Sequence, residues 1–339
     1  MKSSDAGRQN AVMEYVDAPD GWKLATYHYP ARSKFHPVLL VHGLGTNRFD
    51  VDFPNPHYSL AKNLHARGFD TWIVELRGAG RSRKRGWISN AMTALRTDWT
   101  FDDYVFKDLP AVVHHIQKKT KHKKLHWVGH SLGGTLVYAA IETLGDAVCA
   151  SGTTLGAAVS ASSKIGLIKF LLKVDPLVKR MPCVPMKVLA QAGVPFARWL
   201  SPLEDNFFYA ADNVDLEVLE TGLEKAVENV SSALFLQLHD WYRTNHFRSL
   251  DHSFSYRDHL KSIRAPFLVC AGSVDGLTAY PDVHLAFREM SSQKKRFRVF
   301  SRESGCRTEY GHMDLVLGKN APREVFPVIA QWMQEQEQK

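Results

Sequence analysis

The chain has 339 residues, 45% apolar and 23% charged, and its formal charge of +8 comes from 43 Lys and Arg against 35 Asp and Glu. This is the composition of an ordinary globular protein with a large core. Cys149, Cys183, Cys270 and Cys306 form no C-x-x-C pair, which argues against a zinc or redox site, and no RRM, zinc-finger or helix-turn-helix pattern accompanies the basic charge, so no nucleic-acid partner is expected.

Met1 to Asn10 is polar, without the apolar core of a secretory signal. No later segment holds about 18 uncharged apolar residues in a row, and we expect a cytoplasmic protein. Residues 1–13 read as disordered. Asp20-Gly21 reads as a hairpin turn between strands at 13–16 and 22–27. A short buried strand, Val38-Leu39-Leu40-Val41, runs straight into His42-Gly43-Leu44-Gly45. Helical spacing over 59–67 ends at Gly68, and a strand over 70–76 leads to the turn Arg77-Gly78-Ala79-Gly80-Arg81-Ser82. That turn has neither the G-x-G-x-x-G spacing nor the closing Lys of a phosphate loop, and it reads as structural. The amphipathic stretch 101–118 contains Asp108-Leu109-Pro110-Ala111, where proline suits a first helical turn.

The apolar run Leu125 to Val128 then meets Gly129-His130-Ser131-Leu132-Gly133, followed by a helix over 132–144 that ends at Gly145. A strand reversing into a helix around G-x-S-x-G resembles the nucleophile elbow of α/β-hydrolases. The turn lifts the Ser131 hydroxyl clear of the sheet and sets the Leu132 N–H at the positive end of the following helix. The H-G-x-G loop after the earlier strand supplies the second oxyanion N–H in such proteins, and this points to Leu44.

Another strand is expected over 147–153, after which the strand-helix rhythm stops for about a hundred residues. Ile165 to Leu200 interleaves apolar residues with Lys and Arg between prolines, and 217–242 has a longer helical pattern. We expect residues 157–257 to be a helical cap inserted between two parts of a hydrolase core, 14–156 and 258–339. An insertion at this point emerges at the C-terminal strand ends, where ligands bind in open α/β sheets. The core resumes with strands over 266–272 and 296–300, a helix over 282–290 between them, and a closing helix over 322–336. The expected architecture is therefore a mostly parallel central sheet flanked by helices, with a helical cap.

A serine hydroxyl needs a base and an orienting carboxylate, and in this fold they follow in the order Ser, Asp or Glu, His. Asp275 follows directly on a strand, and His312 lies in a loop after the last one. Among rival acids, Asp282 reads as the start of a helix, and Asp251 and Asp258 precede the strand. His42 and His130 are read as structural hydrogen-bonding residues. His114, His115, His122 and His126 straddle a helix end, a lysine-rich turn and a strand, and they read as a solvated basic face rather than a metal site.

On these residues the chain resembles the acid lipases, the gastric and lysosomal lipases and their relatives. Asp20-Gly21-Trp22 is similar to their D-G-Y pair, 108–111 to their D-L-P-A helix, 124–131 to their K-L-x-Y-V-G-H-S elbow, 272–283 to their acid loop and 312–318 to their H-x-D-F-x-x-G base loop. The resemblance skips residues 157–257. It implies Ser131 as nucleophile, Asp275 and His312 as its partners, and Leu44 and Leu132 as oxyanion donors. The chain departs from that pattern at Leu132, where those lipases carry Gln. Residues 69–82 also look like polyhydroxyalkanoate synthases, which carry Cys where this chain has Ser131.

The expected function is a serine carboxylester hydrolase of esterase or lipase type, working through an acyl-enzyme on a small-molecule or lipid ester, with no cofactor. The apolar and basic cap is expected to touch anionic membranes peripherally. The alternatives are an acyltransferase or thioesterase with the same triad, or an inactive hydrolase scaffold that binds ligand.

Overall fold

A computed structural model describes residues 11–84, 98–160, 178, 180–181, 183–193 and 208–338. Eleven strands are assigned among them: β1 Val12–Asp17, β2 Trp22–Tyr29, β3 Val38–Val41, β4 Thr71–Val74, β5 Arg83–Lys84, β6 Leu125–His130, β7 Cys149–Leu155, β8 Cys183–Val184, β9 Val230–Ser231, β10 Phe267–Gly272 and β11 Lys295–Phe300. The longer helices are α1 Leu60–Ala66, α2 Leu109–Thr120, α3 Leu132–Leu144, α4 Met186–Gly193, α5 Leu216–Lys225, α6 Ser232–Thr244, α7 Tyr280–Glu289 and α8 Phe326–Glu337.

One sheet organises the chain, in the order β1-β2-β4-β3-β6-β7-β10-β11, with β5 paired to β2. The hairpin at Asp20-Gly21 joins β1 to β2, and Gly21 takes φ +87, a left-handed value that glycine adopts without a Cβ clash. β2 is antiparallel to β4, and every pairing from β4 to β11 is parallel. Parallel strands covered on both faces read as unbroken apolar runs, and all four residues of β3 are buried. Two apolar clusters line the two faces of the sheet. Leu39, Trp72, Trp127 and Phe267 belong to one, and Leu40, Ile73, Val128 and Phe300 to the other.

The expected parallel sheet flanked by helices is therefore present, with differences in detail. β1 begins at Val12, inside the stretch read as disordered. Asp146–Val148 forms a 3-10 turn, and β7 starts two residues later than expected, at Cys149. The helix proper, α2, begins at Leu109 with proline in its first turn, as expected, and the residues before it, Tyr104–Asp108, form a π-helical turn. The helical pattern over 217–242 is split into α5 and α6 by β9, which pairs with β8 in a separate two-stranded sheet. Much of the Ile165 to Leu200 stretch lies outside the described residues, which include 178, 180–181 and 183–193 of it.

Two of the motifs met in sequence are joined by one side chain. Arg77 is buried, and its guanidinium donates to Asp108 Oδ1 at 2.9 Å through Nε and to Asp20 Oδ2 at 2.7 Å through Nη1. The turn over 77–82 is structural, as expected. Ser82 Oγ accepts the Ala25 N–H at 2.8 Å and also donates to the Glu75 carbonyl, which ties the turn to β2.

Candidate active site

At the C-terminal ends of β3, β6, β7, β10 and β11, five loops meet. One of them is the turn from β6 into α3. Ser131 has φ 55 and ψ −124, a conformation that a non-glycine residue holds only where its surroundings impose it. The packing around the turn is tight enough to exclude side chains. A Cβ on Gly129 would stand 2.3 Å from the Gly133 carbonyl oxygen, and one on Gly133 would stand 2.3 Å from that of Val41. The Ser131 N–H donates to the Leu155 carbonyl at 2.8 Å, so the strained residue is tied back to β7. Among the described residues no acceptor takes the N–H of Leu132 or of Leu44, which leaves both free to meet a negatively charged oxygen. A small open cleft lies beside them, walled by Leu44, Leu132, Arg77, Tyr104, Val230 and Leu234, and Ser131 and His312 are not among its lining residues.

The loops after β10 and β11 bring Asp275 and His312 together. His312 Nδ1 lies 2.8 Å from Asp275 Oδ2, and both residues are buried. Asp275 also accepts the N–H groups of Leu277 and Thr278 on Oδ1, at 2.9 and 2.8 Å, and lies 2.7 Å from Thr278 Oγ1 on Oδ2. Burial pushes this carboxyl upward, but the His312 ring and the Thr278 donors outweigh burial and hold it below the usual carboxylate range. An ionised Asp275 places the ring proton of His312 on Nδ1 and leaves Nε2 as the basic atom. Nε2 is buried without a hydrogen-bond partner. The link from Ser131 Oγ to this nitrogen is thus the one contact of the expected set that is not made.

Other buried groups hold these loops. Asp50, in the short helical turn Arg48–Asp50, accepts the Gly43 N–H at 2.8 Å on Oδ2 and lies 2.9 and 3.0 Å from His130 Nδ1. His130 Nε2 reaches the His312 carbonyl at 3.2 Å. His42 is kept neutral by burial. Its Nδ1 lies 2.9 Å from the Gly43 carbonyl and its Nε2 accepts the Leu76 N–H at 3.1 Å. Both histidines make the structural hydrogen bonds expected of them. Asp314 accepts the N–H groups of Gly311 and Ala210, at 2.6 and 2.7 Å, and burial raises its carboxyl to about 7. Asp50, Thr278 and Asp314 were not given roles from the sequence, where nothing separates Asp50 and Thr278 from the other Asp and Thr residues. Asp314 lies two positions after His312 in the base-loop pattern, the only signal available.

The rival acids stand elsewhere. Asp282 is buried in the first turn of α7, bonded to Ser160 Oγ, and Asp251 accepts from Ser249 and Ser253 in its own turn. His115 meets Glu14, as part of a surface ion pair with Lys119. His126 does not belong to a solvated face. It is fully buried in β6, with Nδ1 2.7 Å from Ser151 Oγ and Nε2 2.8 Å from Glu337 Oε1. His36, His126 and Glu337 could together offer a metal three donor atoms within 4.8 Å of one another, at the opposite end of the strands from Ser131.

Comparison with known proteins bears on this arrangement. A family model for the alpha/beta hydrolase fold matches residues 36–181. The chain is 34% identical over 135 residues to gastric triacylglycerol lipase of Rattus norvegicus, an alignment covering 38% of the chain and 34% of that lipase. It therefore spans about a third of the length of that relative. Similarity to lipase member M of Homo sapiens is lower, 24% over 340 residues, but covers 91% of the chain and 77% of that protein. Among solved structures, an esterase from Exiguobacterium antarcticum matches with a TM-score of 0.63 at 16% identity, over 95% of this chain and all of that one. A protein described as a putative aryl esterase from Burkholderia cenocepacia matches with a TM-score of 0.59 at 16% identity, over 97% of this chain and all of that one.

Proposed function

We propose that this chain, which matches the alpha/beta hydrolase fold model over residues 36–181 and is similar to the lipases compared above, hydrolyses carboxylic esters through Ser131, His312 and Asp275. The observation that carries this reading is the ionised Asp275 beneath a histidine whose Nε2 has no partner, at the sheet edge where Ser131 sits in a left-handed elbow. Rotation of the Ser131 side chain onto Nε2 completes the relay, a tightening that substrate binding commonly brings. Ser131 Oγ attacks the ester carbonyl while its proton passes to His312 Nε2. The carbonyl electrons move onto oxygen, which the N–H groups of Leu44 and Leu132 receive. His312 then protonates the departing alcohol and leaves an acyl-Ser131. Water, deprotonated by the same nitrogen, releases the acid and restores the serine.

Residues 157–257 form, in this reading, a cap between core parts 14–156 and 258–339. In support, the Asn47 N–H donates to the Ala226 carbonyl at 3.1 Å and the Glu228 N–H to the Gly45 carbonyl at 2.7 Å, beside the oxyanion loop. On the other side, the Met313 N–H donates to the Phe208 carbonyl at 2.7 Å, beside the base loop. Helix α4 presents Val188 and Leu189, 62% and 66% exposed, next to Lys187. Lys187 is paired with Glu228 at 2.9 Å, and the exposed apolar residues beside it support lipid esters as substrates and peripheral contact with a membrane. No helix among the described residues is long and apolar enough to cross a membrane. The four free thiols support a reducing compartment, in keeping with the cytoplasm.

The test is covalent labelling by a fluorophosphonate together with hydrolysis of p-nitrophenyl esters of increasing chain length. Wild type should be labelled and active, and Ser131→Ala should lose both. A folded wild type that neither labels nor hydrolyses any ester of the series would end this reading. Transfer to an added alcohol in excess of hydrolysis would make the protein an acyltransferase.

A further inference from the structure

Beneath the proposed triad lies a second buried aspartate-histidine pair with a different wiring. Asp50 is inaccessible to solvent and His130 is 2% exposed. His130 Nδ1 faces both oxygens of Asp50, at 2.9 and 3.0 Å, and Nε2 faces the His312 carbonyl oxygen at 3.2 Å. Asp50 also accepts the Gly43 N–H, and its carboxyl is held low, so as a carboxylate it only accepts, and both ring nitrogens face acceptors. A neutral imidazole has one N–H and one lone pair, so in either tautomer a lone pair would be set against an oxygen. Only the imidazolium supplies a donor to each. We infer that His130 is held as an imidazolium paired with Asp50, and that this ion pair is a positioning device locking the oxyanion loop and the base loop onto the elbow.

The pair joins the oxyanion loop, the elbow and the base loop. Asp50 Oδ2 takes the Gly43 N–H at 2.8 Å, and Gly43 directly precedes the proposed donor Leu44. His130 directly precedes Ser131. Its Nε2 holds the backbone of His312 itself, and the two rings lie 4.9 Å apart between centroids. The charged groups around the pair are few. Burial opposes the charge on His130, while Asp50 and, more weakly, Asp275 favour it, and the balance raises its pKa. Burial also works against ionised Asp50, but His130, the Gly43 N–H and His42 outweigh it and lower that carboxyl. The third histidine, His42, is neutral and cannot replace His130 as a cation. Removing the proton from His130 would leave one N–H for two acceptors, so a lone pair would face either the buried Asp50 carboxylate or the His312 carbonyl. The link between the two loops is broken in either case. A shift of about 1 Å at reacting atoms can cost on the order of 100-fold in rate.

This inference rests on the proposed esterase chemistry for its consequence, but the protonation state can be read without it. In protein labelled with 15N-histidine, one ring should keep both nitrogens protonated at pH 8, and that signal should vanish in either Asp50→Asn or His130→Gln. In kinetics on a p-nitrophenyl ester, Asp50→Asn should lower kcat about 10–100-fold with KM changed less than twofold, and the alkaline limb of the wild-type kcat profile should move to lower pH. A scaffold role without charge would lower activity equally at all pH values. A wild type whose histidines are all neutral at pH 8 overturns the inference, as does an Asp50→Asn variant that folds and keeps both kcat and the alkaline limb. If wild type shows no esterase activity and no fluorophosphonate labelling, the esterase reading fails, and the nitrogen spectrum alone decides the state of His130.

Discussion

Two aspartate-histidine pairs are buried side by side in this protein, and they differ in one atom's surroundings. In both, a carboxylate is held below its usual range by a histidine. In Asp275–His312 the far nitrogen, Nε2, has no partner, whereas in His130 the same atom meets a backbone carbonyl. A nitrogen with a free lone pair is placed to act as a base, and one whose N–H meets an acceptor is placed to act as an anchor. Asp314 completes the comparison. It too is buried near these loops, but its neighbours are two N–H groups and the further carboxylates Asp212 and Asp275, and its carboxyl rises to about 7. Burial alone does not give an aspartate a role here. The charge opposite it does.

That contrast can be broken or sharpened by substitution. The largest effect is expected at the pair with the free nitrogen. Asp275→Asn turns the carboxylate into an amide that no longer fixes the His312 tautomer, and kcat for ester hydrolysis should fall on the order of 10³–10⁴-fold. Asp50→Asn should cost far less, within the 10–100-fold range given above, and equal losses at the two positions would erase the distinction between base and anchor. Thr278→Val removes one donor from Asp275 while leaving its two backbone donors. The expected loss is about tenfold in kcat, the worth of one hydrogen bond to a charged group.

The smallest effect concerns stability alone. Because the folded pKa of Asp314 lies above its ordinary value, the native state binds more protons than the unfolded state between about pH 4 and 7. Its contribution is fully present at low pH and is lost as pH rises through that window. Asp314→Asn keeps an acceptor for Gly311 and Ala210 without the charge. Urea unfolding at pH 5 and pH 8 should show the variant gaining about 1–3 kcal/mol relative to wild type at the higher pH. No change in that difference would mean that Asp314 is not held protonated.

Much of the site was legible from local pattern. Gly129-His130-Ser131-Leu132-Gly133 between an apolar strand and a helix has few other ways to fold, because a Cβ at either glycine would collide with backbone. Asp275 and His312 were placed by chain order and by the strands before them, and they do meet. His126, by contrast, was misread as solvated, because a lysine-rich neighbourhood along the chain says nothing of its partners Ser151 and Glu337, which approach from distant segments. The split of the 217–242 pattern by β9 was missed for a related reason, since Val230–Ser231 is a strand only by pairing with Cys183–Val184.

The sequence by itself determined the parallel sheet and the elbow and pointed to Asp275 and His312 as the candidate partners of Ser131, because each lies in a run of adjacent residues whose local sterics and periodicity admit few outcomes. Only the tertiary structure decided which histidine has a free nitrogen, which aspartates carry charge and which loops share an anchor. Those properties belong to pairs of groups far apart along the chain, such as Asp50 with His130, and they are set by desolvation and by the atom that stands opposite, neither of which a linear pattern encodes.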